Sequence, residues 1–141
     1  MMSVLINGRI KHKKKVEDFV YNTLFDLMPR LKRTVYIDID VVTECDNGTS
    51  ALCWGDNEEI QIELARECNG IKYTVDEMML HLAHELVHAK QFIKGELHPS
   101  LLKWCQQDYS NTPYSKTPWE TEAYRLEDII LTKHWNNNGN I

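Results

Sequence analysis

Apolar residues recur along this chain with two different periods, and the switches between them divide it into elements. Val16, Phe19, Val20, Leu24, Leu27 and Met28 fall three or four apart, which predicts an amphipathic helix over residues 13–28 with its stripe on the core. Pro29 stops it. From Thr34 the period becomes two: Val35, Ile37, Ile39 and Val41 alternate with Tyr36, Asp38 and Asp40, the signature of a strand with one buried face. Asp46-Asn47-Gly48 is a turn signal. Residues 49–54 and 59–64 then flank Gly55-Asp56-Asn57 as a hairpin, its second arm setting Ile60, Ile62 and Leu64 opposite Gln61 and Glu63. Asn69-Gly70 closes this β region. The apolar stretch in residues 1–10, ended by Asn7-Gly8, is too short to assign.

A longer helix follows over residues 74–95. Thr74-Val75-Asp76-Glu77 has the form of a capping box, and Gly95 suits the left-handed residue that commonly ends a helix. Met79, Leu82, Leu86, Ala89 and Ile93 make one apolar stripe, while His81, His84 and His88 lie largely on another face. Residues 101–105 read as a short strand and 108–116 as a loop. A last helix opens at Thr117-Pro118-Trp119-Glu120, with Thr117 as N-cap and Pro118 in the first helical position, and runs to about Trp135. The polar tail 136–140 is expected to fray. The elements add up to an α+β fold: an N-terminal helix, a short, mostly antiparallel sheet, a central helix and a C-terminal helix.

With 141 residues, 43% hydrophobic and 26% charged, the chain is expected to form a single domain, 1–141, with a core of its own. No apolar run reaches the roughly 20 residues that cross a bilayer, and the first residues lack a signal-peptide core. The expected setting is therefore intracellular, in the cytoplasm, with no membrane partner. Cys45, Cys53, Cys68 and Cys105 form no CxxC pair, so reduced and mostly buried thiols are expected in place of a zinc ribbon or disulfide framework. The net charge of −5 is uneven: residues 1–33 hold eight Lys/Arg against three Asp/Glu, leaving eight against eighteen for the remainder. The run Lys11-His12-Lys13-Lys14-Lys15 reads as a solvated start to the first helix, and the alternative is contact with nucleic acid or another acidic partner.

The chemistry lies in His84-Glu85-Leu86-Val87-His88. On a helix, positions four apart share a face, so both imidazoles of HExxH can reach one metal ion, with Glu85 placed to act on its water. A catalytic zinc takes three protein ligands and keeps one open position, so a third ligand must come from elsewhere. His81 shares the histidine face, but three ligands stacked along one helix do not converge. His98 lies beyond the glycine turn and would have to fold back. Glu120 and Glu122 both border the apolar stripe of the last helix, and helical projection does not separate them. Glu120 has a second reading, as the closing residue of a capping box.

These residues resemble a zincin metallopeptidase. Within that group, Pro118-Trp119-Glu120-Thr121-Glu122-Ala123 resembles the P-x-E-x-x-A helix of compact gluzincins, such as relatives of anthrax lethal factor and the MtfA peptidases. The resemblance spans mainly residues 74–126 and implies a zincin-like domain with Glu120 as third zinc ligand and Ala123 letting two helices approach. It also implies that Tyr114, or failing that Tyr109, stabilises an oxyanion. Metzincins would place a third His where this chain has Lys94, and neither the third His nor the Cys ribbon of SprT-like proteases is evident. Gluzincins often carry Asp four residues after the ligand Glu; here that position is Tyr124, so another group must orient the histidine. The implied activity is peptide hydrolysis by a metal-activated water, with Zn²⁺ on His84, His88 and Glu120 and Glu85 as general base. The partner is then a peptide or protein substrate, paired on an edge strand for which residues 59–64 are the candidate, the alternative being that this strand is internal to the sheet. The alternative is a regulatory or partner-binding module with little turnover, which would have no use for Glu85.

Overall fold

The computed structural model describes residues 2–136, so the tail expected to fray lies outside them except for Asn136. The chain is α+β. In order it forms β1 (Met2–Asn7), α1 (Lys13–Leu27), β2 (Val35–Val42), β3 (Ala51–Gly55), β4 (Glu59–Ala65), β5 (Glu67–Cys68), β6 (Ile71–Lys72) and α2 (Val75–Ile93). β7 (Lys103–Trp104), β8 (Gln107–Asp108) and α3 (Pro118–Ile130) complete it, the last continuing as a wider helical segment over Leu131–Asn136.

Strands β1 to β4 make one sheet in the order β1-β2-β4-β3. Here the expectation of a mostly antiparallel sheet fails: β1 pairs with β2 and β2 with β4 in parallel, and only β3 runs antiparallel to β4. The cause is connection length. Helix α1 carries the chain back between β1 and β2, as a parallel pair requires, whereas the short turn before β4 allows only a hairpin. The uninterpreted N-terminal stretch is thus a strand, in register from Met2↔Val35 to Asn7↔Asp40. A second correction follows from the strand order. Residues 59–64 are internal, between β2 and β3, and the sheet edges are β1 and β3.

Val35, Ile37, Ile39, Ile60, Ile62 and Leu64 point to the core, where they meet Val16, Phe19, Val20 and Leu24 of α1 and Met79, Leu82 and Leu86 of α2. Both helices cover the same face of the sheet. Helix α2 starts as expected: Glu77 N–H donates to Thr74 Oγ1 at 3.1 Å, and Thr74 N–H to the Glu77 carboxylate at 2.8 Å. It stops at Gly95, φ 74°, with Glu96 N–H bonded to Gln91 O and Gly95 N–H to Phe92 O. From Leu82 to Ile93 every residue of α2 is buried, because the sheet and α1 cover one side and α3 the other. Trp135 anchors the C-terminal segment, packing edge-on to Phe19 and donating to Asp76 at the start of α2.

The four cysteines are unpaired, but only Cys45 is buried; Cys53 and Cys68 are half-buried and Cys105 is exposed, since it occupies the β7–β8 turn at φ 49°. No helix among the described residues is long and apolar enough to cross a membrane.

Candidate metal centre

The histidines of α2 and the first turn of α3 converge. His84 Nε2 and His88 Nε2 stand 3.2 Å apart, and the Glu120 carboxylate spans them, Oε1 at 2.9 Å from His84 and Oε2 at 3.2 Å from His88. All three side chains are buried. The approach depends on Ala123, fully buried between the helices one turn beyond Glu120. Because the Glu120 carboxylate turns into the cleft, it does not close a capping box. Thr117 makes no side-chain cap to α3 and instead donates its hydroxyl to Tyr114 O at 2.9 Å.

What lies behind the two rings decides what this cluster suits. His84 Nδ1 faces Glu127 Oε2 at 3.0 Å, and His88 Nδ1 faces Gln91 Oε1 at 2.7 Å. The Gln91 amide nitrogen donates to Trp119 O and to the Glu122 carboxylate, both at 3.0 Å, which leaves its oxygen for His88. A carboxylate and an amide oxygen only accept, so each Nδ1 carries the hydrogen. Two neutral imidazoles would then aim Nε2 lone pairs at each other and at a carboxylate. Three electron-rich atoms drawn this close call for a cation among them, and two imidazole nitrogens with one carboxylate are a donor set that suits zinc. The same residues therefore fit a bound metal ion.

Without an ion, the same demand for positive charge falls on protons. Burial pushes the His84 and His88 imidazoles down, but hydrogen bonds to Glu120 and the charge of Glu85 outweigh it and raise both. Burial alone would raise the Glu120 carboxyl, yet the two histidines hold it at about 2. The site concentrates positive charge on its own ligands. Glu85, adjacent in sequence to His84, is buried, and burial raises its carboxyl despite the opposing pull of His88 and His84.

A cleft of about 380 Å³ opens on this cluster, lined by Glu85, His88 and Glu120, by Ala51–Cys53 of the edge strand, and by Phe92, Tyr109, Tyr114 and Trp119. Tyr114 sits in the turn just before α3; although it is 65% exposed, burial of its hydroxyl end and the Glu120 charge both raise it. Tyr109 also lines the cleft, but its hydroxyl bonds Gln107 and its ring stands edge-on to Trp119.

The remaining candidates lie outside the cluster. Glu122 pairs with Lys90 at 2.9 Å and with Gln91. The His81 ring lies edge-on to Tyr73, and burial lowers its basicity. His98 bonds Ser100. Two participants were not anticipated from the sequence, Gln91 and Glu127. Their signal was spacing: Gln91 follows His88 by three residues, and Glu127 follows Glu120 by seven, two turns along the same face. Tyr124, where an acid was expected, sets its ring against His84 with centroids 4.6 Å apart. No protein-family model, curated protein or solved structure matches the chain.

Proposed function

We propose that the chain is a zinc-dependent metallopeptidase of the gluzincin type, with His84, His88 and Glu120 as ligands and a peptide or protein as substrate. One observation carries the reading: three lone-pair donors converge while Gln91 and Glu127 hold the hydrogens of both imidazoles on their far side. Bound there, zinc supplies Lewis acidity toward a water and a scissile carbonyl. Glu85 accepts the proton of the attacking water and returns it to the departing amine, a role suited to a buried carboxylate of raised basicity. Tyr114, its hydroxyl kept protonated beside Glu120, donates to the oxyanion that develops on the carbonyl. The outer edge of β3 offers unpaired backbone groups beside the cleft, so an extended substrate adds there as a further strand.

The test combines metal content with turnover. Protein purified without chelators is expected to carry about one zinc per chain. Glu85→Gln should keep the metal and lose hydrolysis of an unfolded protein such as casein. Glu120→Ala should lose the metal, and Glu122→Ala should keep it. A chain that takes up no zinc, with a melting curve indifferent to added zinc, refutes the proposal.

A further inference from the structure

The face of the sheet turned away from the helices carries a pattern that the metal centre does not use. A largely parallel sheet ordinarily has both faces covered, yet among the described residues α1 and α2 pack on one face only. Along the open face, β1 presents Leu5 and Asn7, β2 presents Tyr36, Asp38 and Asp40, β4 presents Glu59, Gln61 and Glu63, and β3 presents Trp54. Four of these are carboxylates and none is Lys or Arg. Asp40 and Glu63 stand directly opposite each other, a like-charge pair that costs stability in an isolated sheet. Asp40 is compensated by donors from Asn7 at 2.8 Å and Gln61 at 3.0 Å. Asp38 and Glu59 have no ion-pair partner among the described residues.

These two uncompensated carboxylates share a groove of about 450 Å³ with Tyr36, Trp54, Asp56 and Gln61. The register explains the grouping: Tyr36 lies opposite Glu59, and Asp38 lies opposite Gln61, which in turn faces Trp54. Two large aromatic side chains, Tyr36 at 52% and Trp54 at 44% exposure, therefore flank the two acids. The Asp56 carboxylate is already occupied by the backbone N–H groups of Glu58 and Glu59. Carboxylates provide an ion pair for a cationic side chain, and aromatic faces attract the same cation through their quadrupole.

We propose that this face docks a lysine- or arginine-bearing polypeptide segment, with Asp38 and Glu59 pairing its cations and Tyr36 and Trp54 covering their stems. The charge of the face selects the occupant, since a nucleic acid or an acidic lipid surface would be repelled. The proposal is independent of the metal centre and stands or falls separately from the peptidase reading.

The test titrates a capped hexaarginine peptide, with hexaglutamate as control, into the full ¹⁵N-labelled chain, following backbone amides and the Trp54 indole. Shifts are expected at positions 36, 38, 54, 59 and 61 for hexaarginine alone. Affinity should fall at least tenfold in Asp38→Asn/Glu59→Gln, fall about threefold or more in Trp54→Ala, and weaken with added salt. The double variant removes like charge from an exposed surface, so its melting temperature should hold or rise, which separates lost binding from lost fold. Unchanged affinity in both variants, or shifts confined to the cleft around Glu85 and Glu120, overturns the proposal. So does concentration-dependent self-association that the double variant abolishes, because the occupant would then be a second copy of this chain.

Discussion

At the scale of single residues, the site depends on groups that hold the histidines from behind. His84 is fixed by the charged acceptor Glu127, three residues beyond the tyrosine that occupies the expected position. Tyr124 contributes ring contact, not a hydrogen-bond acceptor for Nδ1. The two therefore differ in what their removal does. Glu127→Ala frees the His84 ring to rotate or change tautomer, and zinc affinity should fall by about 10–100-fold. Tyr124→Phe keeps the aromatic face and should leave affinity within about threefold. Competition against a chromophoric chelator measures both, and an equal loss in the two variants would show that packing, not the carboxylate, orients the ring. Gln91 does the same service for His88, but it is also bound to Glu122 and Trp119, so its substitution reads out more than one contact.

At the scale of elements, the C-terminal segment is tied to α1 by Asp26, which accepts from both Lys133 and His134 at 3.0 Å. These hydrogen bonds, His134 first and Lys133 next, hold the Asp26 carboxyl below its ordinary value of 3.8. A carboxyl lowered on folding adds stability that is complete above 3.8 and disappears as pH falls through the folded value. Asp26 is 43% exposed, so solvent screening limits the gain to about 1 kcal/mol or less. Asp26→Asn should therefore lower the melting temperature by about 2–4 °C at pH 7 and by nothing measurable near pH 2, as differential scanning calorimetry would show. An equal loss at both pH values would trace the effect to packing. Elements with local signals were legible in the sequence: Thr74 with Glu77 and Gly95 bound α2, and the alternation around Ile37 identified β2. Strand order was not. The alternation in β2 arises because one face of a parallel sheet is left open, and period-two patterning reports that a face is wet without reporting the direction of the neighbouring strands. β1 was too short to stand out, and Gly8 was read only as an end. At φ 94°, a Cβ there would lie 2.3 Å from Val41 O, so the glycine also lets the chain pass close over β2. In the site, HExxH was legible because its spacing is local, whereas the choice of Glu120 over Glu122 required knowing how α3 rolls on α2.

At the scale of the whole molecule, the metal centre joins α2 to α3, while the main core joins α2 to α1 and the sheet. Residues fully removed from solvent, among them Phe19, Ile37, Ile39, Ile62, Leu64, Met79 and Leu82, belong to the second set. Losing the ion should therefore differ from its loss in a small zinc domain, which unfolds because it has no other core. Here the stabilisation is a linkage term, about 4 kcal/mol when free zinc is a thousand times its dissociation constant. For a chain of this length, that corresponds to a fall in melting temperature of about 8–16 °C on chelation. The far-ultraviolet circular dichroism of the chelated protein should stay near that of the zinc form at 25 °C. Hydrogen exchange should quicken first in α3, whose N-terminal turn would then place Glu120 against two imidazoles with only protons to neutralise them. Amides of β2 and β4, paired on both sides inside the sheet, should keep their protection. Global unfolding on chelation would mean that the ion is part of the core's stability, and no change in either α3 exchange or melting temperature would mean that no ion joins the two helices.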